Sequence, residues 1–235
     1  MSTAAPSRRP MDPAVLVARD KEDVVVGDEV VRHKLSSRVI HWTVSVAFFV
    51  CLFTGFPIWT PFFGWMAAFF GGLSVCRIVH PWAGLVFFVA SAVMFFDWMS
   101  DMIFRPDEKG WFGPKLFRYM RWEHEDDEVG KYNGGQKFFF WTVAAGAIGL
   151  IVSGLVMWFP QSFPPIVKQL AFVLHDLTFI LFAVAVVFHV YLGTVAEPGT
   201  FRSMTRGTVT RKWARLHHPG WYRDVAGNEP RPPKR

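Results

Sequence analysis

The sequence predicts an all-α membrane protein, a four-transmembrane-helix bundle with both termini cytoplasmic. Three observations predict it. Four long apolar runs dominate a 235-residue chain that is 51% hydrophobic, with 25 Phe and 11 Trp, which reads as one polytopic membrane domain. The 25 Lys and Arg divide unevenly: 23 lie in the arm up to Arg38, the loop between the second and third runs, and the tail, while only Arg77 and Lys168 lie on the other side. That asymmetry assigns both ends of the chain to the cytoplasm. Finally, four of the eight histidines, His41, His80, His175 and His189, occupy span positions, where an ionisable side chain is costly and marks function.

Residues 1–31 form a polar N-terminal arm of mixed charge with Pro6, Pro10 and Pro13. It lacks the basic start, short apolar core and cleavage site of a signal peptide. Its polar stretch Met1 to Glu29 reads as a flexible or partner-bound cytoplasmic segment. Residues 32–196 form the transmembrane domain. Its first span runs from about Arg38 to Trp59, with His41 in the first turn. A linker from Thr60 to Val79 follows, and Phe62, Phe63, Trp65, Phe69 and Phe70 suit the headgroup level. The second span begins at His80-Pro81, since proline is well placed in a first helical turn, and ends near Phe104.

Arg105 to Lys137 is the largest internal polar loop. The third span, Phe138 to Phe159, sets Gly146, Gly149 and Ser153 on one face, which permits close approach of a helix or a flat ligand. The fourth span is Pro165 to Ala196, and residues 197–235 make a basic cytoplasmic tail with Trp213, Trp221 and Tyr222. The net charge of +6 sits outside the spans, so it encodes orientation and argues against nucleic-acid binding. Cys51 and Cys76 form no CxxC or metal spacing and read as incidental.

The histidines carry the chemistry. His175 and His189 are 14 residues apart, hence roughly 40° apart on one helix face and about 21 Å apart along the axis. Span order then sorts the four into two depths: His41 with His189 near the cytoplasmic side, His80 with His175 near the outer side. Two facing imidazoles at one depth are what a six-coordinate b-type haem needs. The predicted iron ligands are therefore His41, His189, His80 and His175, holding two b haems. With no CxxCH in the chain the haems are non-covalent, and bis-His ligation suits electron transfer rather than oxygen chemistry. Gly55 and Gly84 offer gaps for a porphyrin, and Arg38 and Arg77 stand where they could meet propionates. Each feature alone has a plainer reading: a solvated histidine, a packing seam of small residues, an interface anchor. Asp176, beside His175, is left between a hydrogen bond to the ligand, access to water, and shielding within the bundle.

Asn133-Gly134-Gly135-Gln136 lies at the cytoplasmic membrane edge. Alone it is a turn and helix start. Beside a haem, its amides and glycines suit a quinone headgroup. The acidic stretch Glu123 to Glu128 would feed it protons.

These residues resemble the gamma, or b-type cytochrome, subunit of respiratory membrane-bound formate dehydrogenase, over roughly Arg32 to Asp224. The carriers are Arg38 to Thr43, Arg77 to Pro81, Gly130 to Lys137, His175, His189-Val190-Tyr191, and Arg211 to Ala214 through His217 to Arg223. The resemblance implies a bacterial inner-membrane subunit of a formate:quinone oxidoreductase, itself without a catalytic residue for formate. It implies an iron–sulfur beta subunit, a molybdenum- or tungsten-dependent alpha subunit, and a higher oligomer of the complex. It also implies menaquinone or ubiquinone as electron acceptor, bound at Asn133, Gly135 and Gln136 beside His189. Two features depart from the family: the N-terminal arm, and Asp176, where a small apolar residue is expected. The rival readings are a cytochrome b subunit of a hydrogenase or thiosulfate reductase, and a haem-free membrane anchor.

Overall fold

The computed structural model describes residues 12–104 and 129–227. The order is α1 (Pro13–Val17), β1 (Val24–Val26), β2 (Glu29–Val31), α2 (Leu35–Trp59), a 3-10 helix (Pro61–Phe70), and α3 (Leu73–Trp98) with a 3-10 extension (Met99–Met102). Then come α4 (Gly134–Trp158), α5 (Pro165–Tyr191) running on as a π-turn (Leu192–Ala196), α6 (Phe201–Thr205), β3 (Thr208–Thr210), α7 (Arg211–His217) and α8 (Pro219–Ala226). They fall into two units, a helical one and one built from the two ends of the chain with residues 129–131.

The helical unit contains four helices long and apolar enough to cross a membrane: Leu35–Trp59, Leu73–Met102, Gly134–Trp158 and Pro165–Ala196. The shortest has 25 residues, about 37 Å at 1.5 Å per residue, against an apolar bilayer core of about 30 Å. Large apolar side chains such as Phe96 (74% exposed), Val187 (68%) and Val46 (61%) point outward, a surface that suits lipid and not water. Inside, Phe48, Phe87 and Phe182 pack with Val44, Ala47, Met94, Val143 and Ala147. Among the described residues α4 packs closely on α5 and α3, while the backbone of α2 stands further off.

Three boundaries differ from the sequence reading. α3 begins at Leu73, not at His80. Pro81 therefore lies within the helix, where it gives up one backbone hydrogen bond, a loss tolerated in membrane helices when neighbours compensate. The predicted linker shrinks to the 3-10 helix and two glycines, Gly71 at φ +87° and Gly72 at φ +109°, whose left-handed backbone stops one helix and starts the next. α4 begins at Gly134 rather than Phe138 because Asn133 caps it: Asn133 Oδ1 accepts from Gln136 N–H (2.9 Å) and Gln136 Oε1 from Asn133 N–H (3.0 Å). The acidic stretch Glu123 to Glu128 lies outside the described residues.

The terminal unit corrects the flexible-arm reading for its described part, and adds a small sheet to a chain expected to be all-α. β1 and β2 form an antiparallel hairpin with Val25 opposite Val30, turned by Gly27 at φ +56°. β3, from the tail, adds to it with Val209 opposite Val30. The sheet packs on Trp213, Ala214, Trp221 and Tyr222. At its centre Arg32, 2% exposed, lies 4.8 Å from the Trp213 ring and 5.5 Å from the Trp221 ring. It donates to the Lys131 carbonyl at 2.6 Å. His218, fully buried, meets the Gly130 carbonyl through Nδ1 at 2.7 Å, while the Gly220 and Trp221 N–H groups donate to Val129 O. The described part of the arm is ordered because its valines pair with one another and with a tail strand; partner binding is the other half of the sequence reading.

Burial holds His218 neutral, well below the ordinary imidazole range; the charge of Arg32 pushes the same way and the Gly130 bond opposes both. The unfolded chain would accept a proton that the folded unit refuses. Stability of this unit should thus be complete above the unfolded imidazole value of about 6.5 and decline as pH falls below it. Protease resistance of the tail measured from pH 8 to pH 5 (roughly the imidazole range) reads this, and His218→Gln should flatten the acid limb. An identical pH dependence in that variant would exclude His218 as the cause.

Candidate functional site

α5 presents His175 and His189 on one face, and two other helices bring a partner to each. His41 of α2 faces His189 with ring centroids 6.1 Å apart, and His80 of α3 faces His175 at 6.2 Å. All four predicted ligands therefore meet in the two predicted pairs. An iron between two imidazoles needs about 2 Å per metal–nitrogen bond and about 1 Å more to each centroid, or about 6 Å in all. Among the described residues no three His, Cys, Asp or Glu side chains converge as a metal cluster. A metal at either pair would thus need most of its ligands from a macrocycle, as haem provides.

Hydrogen bonds decide which ring nitrogen is available at the His80/His175 pair. Thr54 Oγ1 gives its proton to Val50 O (2.6 Å), and Ser153 Oγ gives its own to Gly149 O (2.6 Å). Both oxygens are then left as acceptors. His175 Nδ1 lies 2.9 Å from Ser153 Oγ; His80 Nδ1 lies 3.1 Å from Cys51 O and 3.3 Å from Thr54 Oγ1. These partners assign the proton to Nδ1 in both rings and leave the Nε2 lone pairs for a metal. Around this pair the four helices enclose a cavity of about 570 Å³, with Arg77, Gly84 and Gly154 in its wall. Gly55 stands against the ring: a Cβ there would lie 3.0 Å from His80 Cε1. Donor set, separation, glycine cradle and cavity together fit a haem.

At the other pair, His41 Nδ1 is buried with no partner among the described residues. Phe139, one turn past Gln136, stacks on His189 at 4.5 Å with the planes 4° apart. The start of α4 is thereby brought to His189. The 6.1 Å separation fits an iron here too.

Arg38 Nη1 and Nη2 donate to the carbonyls of Thr205 (3.0 Å) and Ala18 (3.3 Å), which commits these two nitrogens to backbone rather than to a propionate. Cys51 meets His80 through its backbone carbonyl, a contact that any residue at this position would offer. Asp176 takes a hydrogen bond from Trp59 Nε1 at 3.2 Å and lines the cavity. The roles of Thr54, Ser153 and Phe139 escaped the sequence reading. The available signal for the first two was a hydroxyl inside an apolar run, though Ser153 was noticed only for its size.

Four apolar helices with imidazole pairs at two levels define a membrane cytochrome of the b type. The chain belongs to the prokaryotic cytochrome b561 family, whose model matches residues 32–207. It is 34% identical over 201 residues to the cytochrome b556(Fdn) subunit of the nitrate-inducible formate dehydrogenase of Escherichia coli (strain K12), covering 83% of this chain and 91% of that one. To the cytochrome b556(fdo) subunit of the same organism it is 33% identical over 203 residues, 84% and 94% of the two chains. The formate dehydrogenase cytochrome b556 subunit of Haemophilus influenzae is 30% identical over 198 residues, 83% of each.

Gly55→Ala sets a methyl group 3.0 Å from His80 Cε1, closer than ordinary contact, so the ring must turn away. The expected outcome is a lower content of haem b per purified chain, measured by pyridine haemochrome assay. Undiminished haem would show that Gly55 cradles nothing.

Proposed function

We propose that this chain is the two-haem cytochrome b subunit of a formate dehydrogenase, carrying electrons across the membrane from an iron–sulfur subunit to quinone. The observation that carries the reading is the pair of imidazole tiers, at 6.1 and 6.2 Å ring separation, joined by α5. Haem b, when bound, would supply reversible one-electron chemistry. His80 and His175 would hold one haem, with Cys51 O, Thr54 and Ser153 fixing their rings. His41 and His189 would hold the other. Arg77, in the cavity wall, is placed to neutralise propionate charge.

Electrons enter at the His80/His175 tier from the iron–sulfur subunit, which draws them from a molybdenum- or tungsten-dependent subunit that oxidises formate. They leave at the His41/His189 tier to menaquinone or ubiquinone, held at Asn133, Gly135 and Gln136. Two observations support that place. Phe139 joins the start of α4 to His189. Gln136 uses Oε1 in the capping box, and its amide N–H groups suit a quinone carbonyl. The distribution of Lys and Arg supports a cytoplasmic position for this side and for both termini, in what the family reading makes a bacterial inner membrane.

Charge separation follows from this orientation. Formate releases its proton outside, electrons cross inward, and quinone takes protons from the cytoplasm, so no proton crosses the protein. In oriented vesicles, formate-driven quinone reduction should take up protons at the face bearing the termini; uptake at the opposite face would overturn the orientation. Haem quantified per chain should give two in the wild type. His189→Ala should lose one haem together with quinone reduction, and a variant that keeps two b haems by redox difference spectrum would refute the ligand assignment.

A further inference from the structure

The helices that carry the imidazoles share a seven-residue spacing. Seven residues return a helix to within about 20° of the same face and advance it about 10.5 Å. Phe182 stands seven residues from both His175 and His189, Phe48 lies seven past His41, and Phe87 seven past His80. The three rings close on one another midway between the tiers. Phe48 and Phe87 each lie 5.9 Å from Phe182, and 6.1 Å from each other. All three are buried, Phe182 at 3% exposure. Phe182 rests on α4 at Gly146, where a Cβ would come within 2.1 Å of its ring. Val44, Ala47, Val143 and Ala147 pack around the rings, so the layer is apolar and gives water no partner. The same three phenylalanines line the cavity at His80 and His175.

We infer that Phe48, Phe87 and Phe182, seated on Gly146, form an aromatic septum that closes the His80/His175 cavity from the His41/His189 tier and is the packed bridge for electron transfer between them. The inference rests on the two-haem reading above. One iron loses the electron that the other gains, and no bond or proton moves in the layer. Electronic coupling weakens wherever a gap interrupts contact, so the density of this layer sets the transfer rate. Close-packed interiors relax only partly around a deleted ring. Gly146 is small because Phe182 needs the room.

The test uses the intact complex in detergent, mixed with formate without quinone and quenched by rapid freezing. The low-spin ferric EPR signals of the two haems are followed separately, and the delay between their losses reports transfer across the septum. Phe182→Ala should lengthen that delay several-fold with both haems retained and both midpoint potentials unchanged. Gly146→Ala should do the same by displacing the ring, and adding Phe182→Leu to it should recover part of the rate. An unchanged delay in Phe182→Ala overturns the inference. If that variant loses a haem, Phe182→Leu alone decides: a longer delay supports the septum, and a wild-type delay overturns it. A wild-type complex with fewer than two haems overturns the underlying reading and the septum with it, whereas two haems with no effect of either substitution overturns the septum alone.

Discussion

A ring nitrogen inside lipid needs a partner, and an imidazole has two of them. Much of the helical unit answers that constraint. At His80 one nitrogen is held by the Cys51 carbonyl and Thr54, and at His175 one is held by Ser153. The hydroxyls can accept because their protons are committed to their own helices. The other nitrogen of each ring is left for a metal, and the two ring centroids stand 6.2 Å apart. The glycine at position 55 and the cavity between the helices leave room beside them.

The two units solve the same problem of buried nitrogen by different means. In the terminal unit Arg32 and His218 are as buried as any core residue. There the partners are backbone carbonyls of residues 130 and 131 and the faces of two tryptophans. Both nitrogen-rich side chains hold the short segment that precedes the Asn133 cap. These polar side chains act as structural bonds, and Arg38 follows the same rule with Thr205 and Ala18.

The heptad relation in α5 gives the helical unit its layering. His175, Phe182 and His189 stand on one face, and α2 and α3 answer with Phe48 and Phe87 at the middle level. Imidazole positions and aromatic packing are therefore not independent features. Moving α5 by a turn would separate both imidazole pairs and the phenylalanine layer together, so the apolar core and the histidines share one register.

The sequence by itself determined the number and approximate extent of the spans, because apolar length is a local property read directly from composition. It also determined the pairing of His41 with His189 and His80 with His175, since span order and a 14-residue spacing leave little freedom along a rigid helix. The same spacing puts Gly55, 14 residues past His41, beside His80. Only the tertiary structure decided where α3 starts, because a proline at position 81 is equally at home in a first turn or inside a supported helix. The terminal sheet was likewise hidden: its strands have three residues each, and β2 and β3 are separated by the whole helical unit. Which groups hold the imidazoles depends on which hydroxyl or carbonyl of a neighbouring helix comes within about 3 Å of a ring, and contacts of that kind arise from packing between helices, not from the pattern along any one of them.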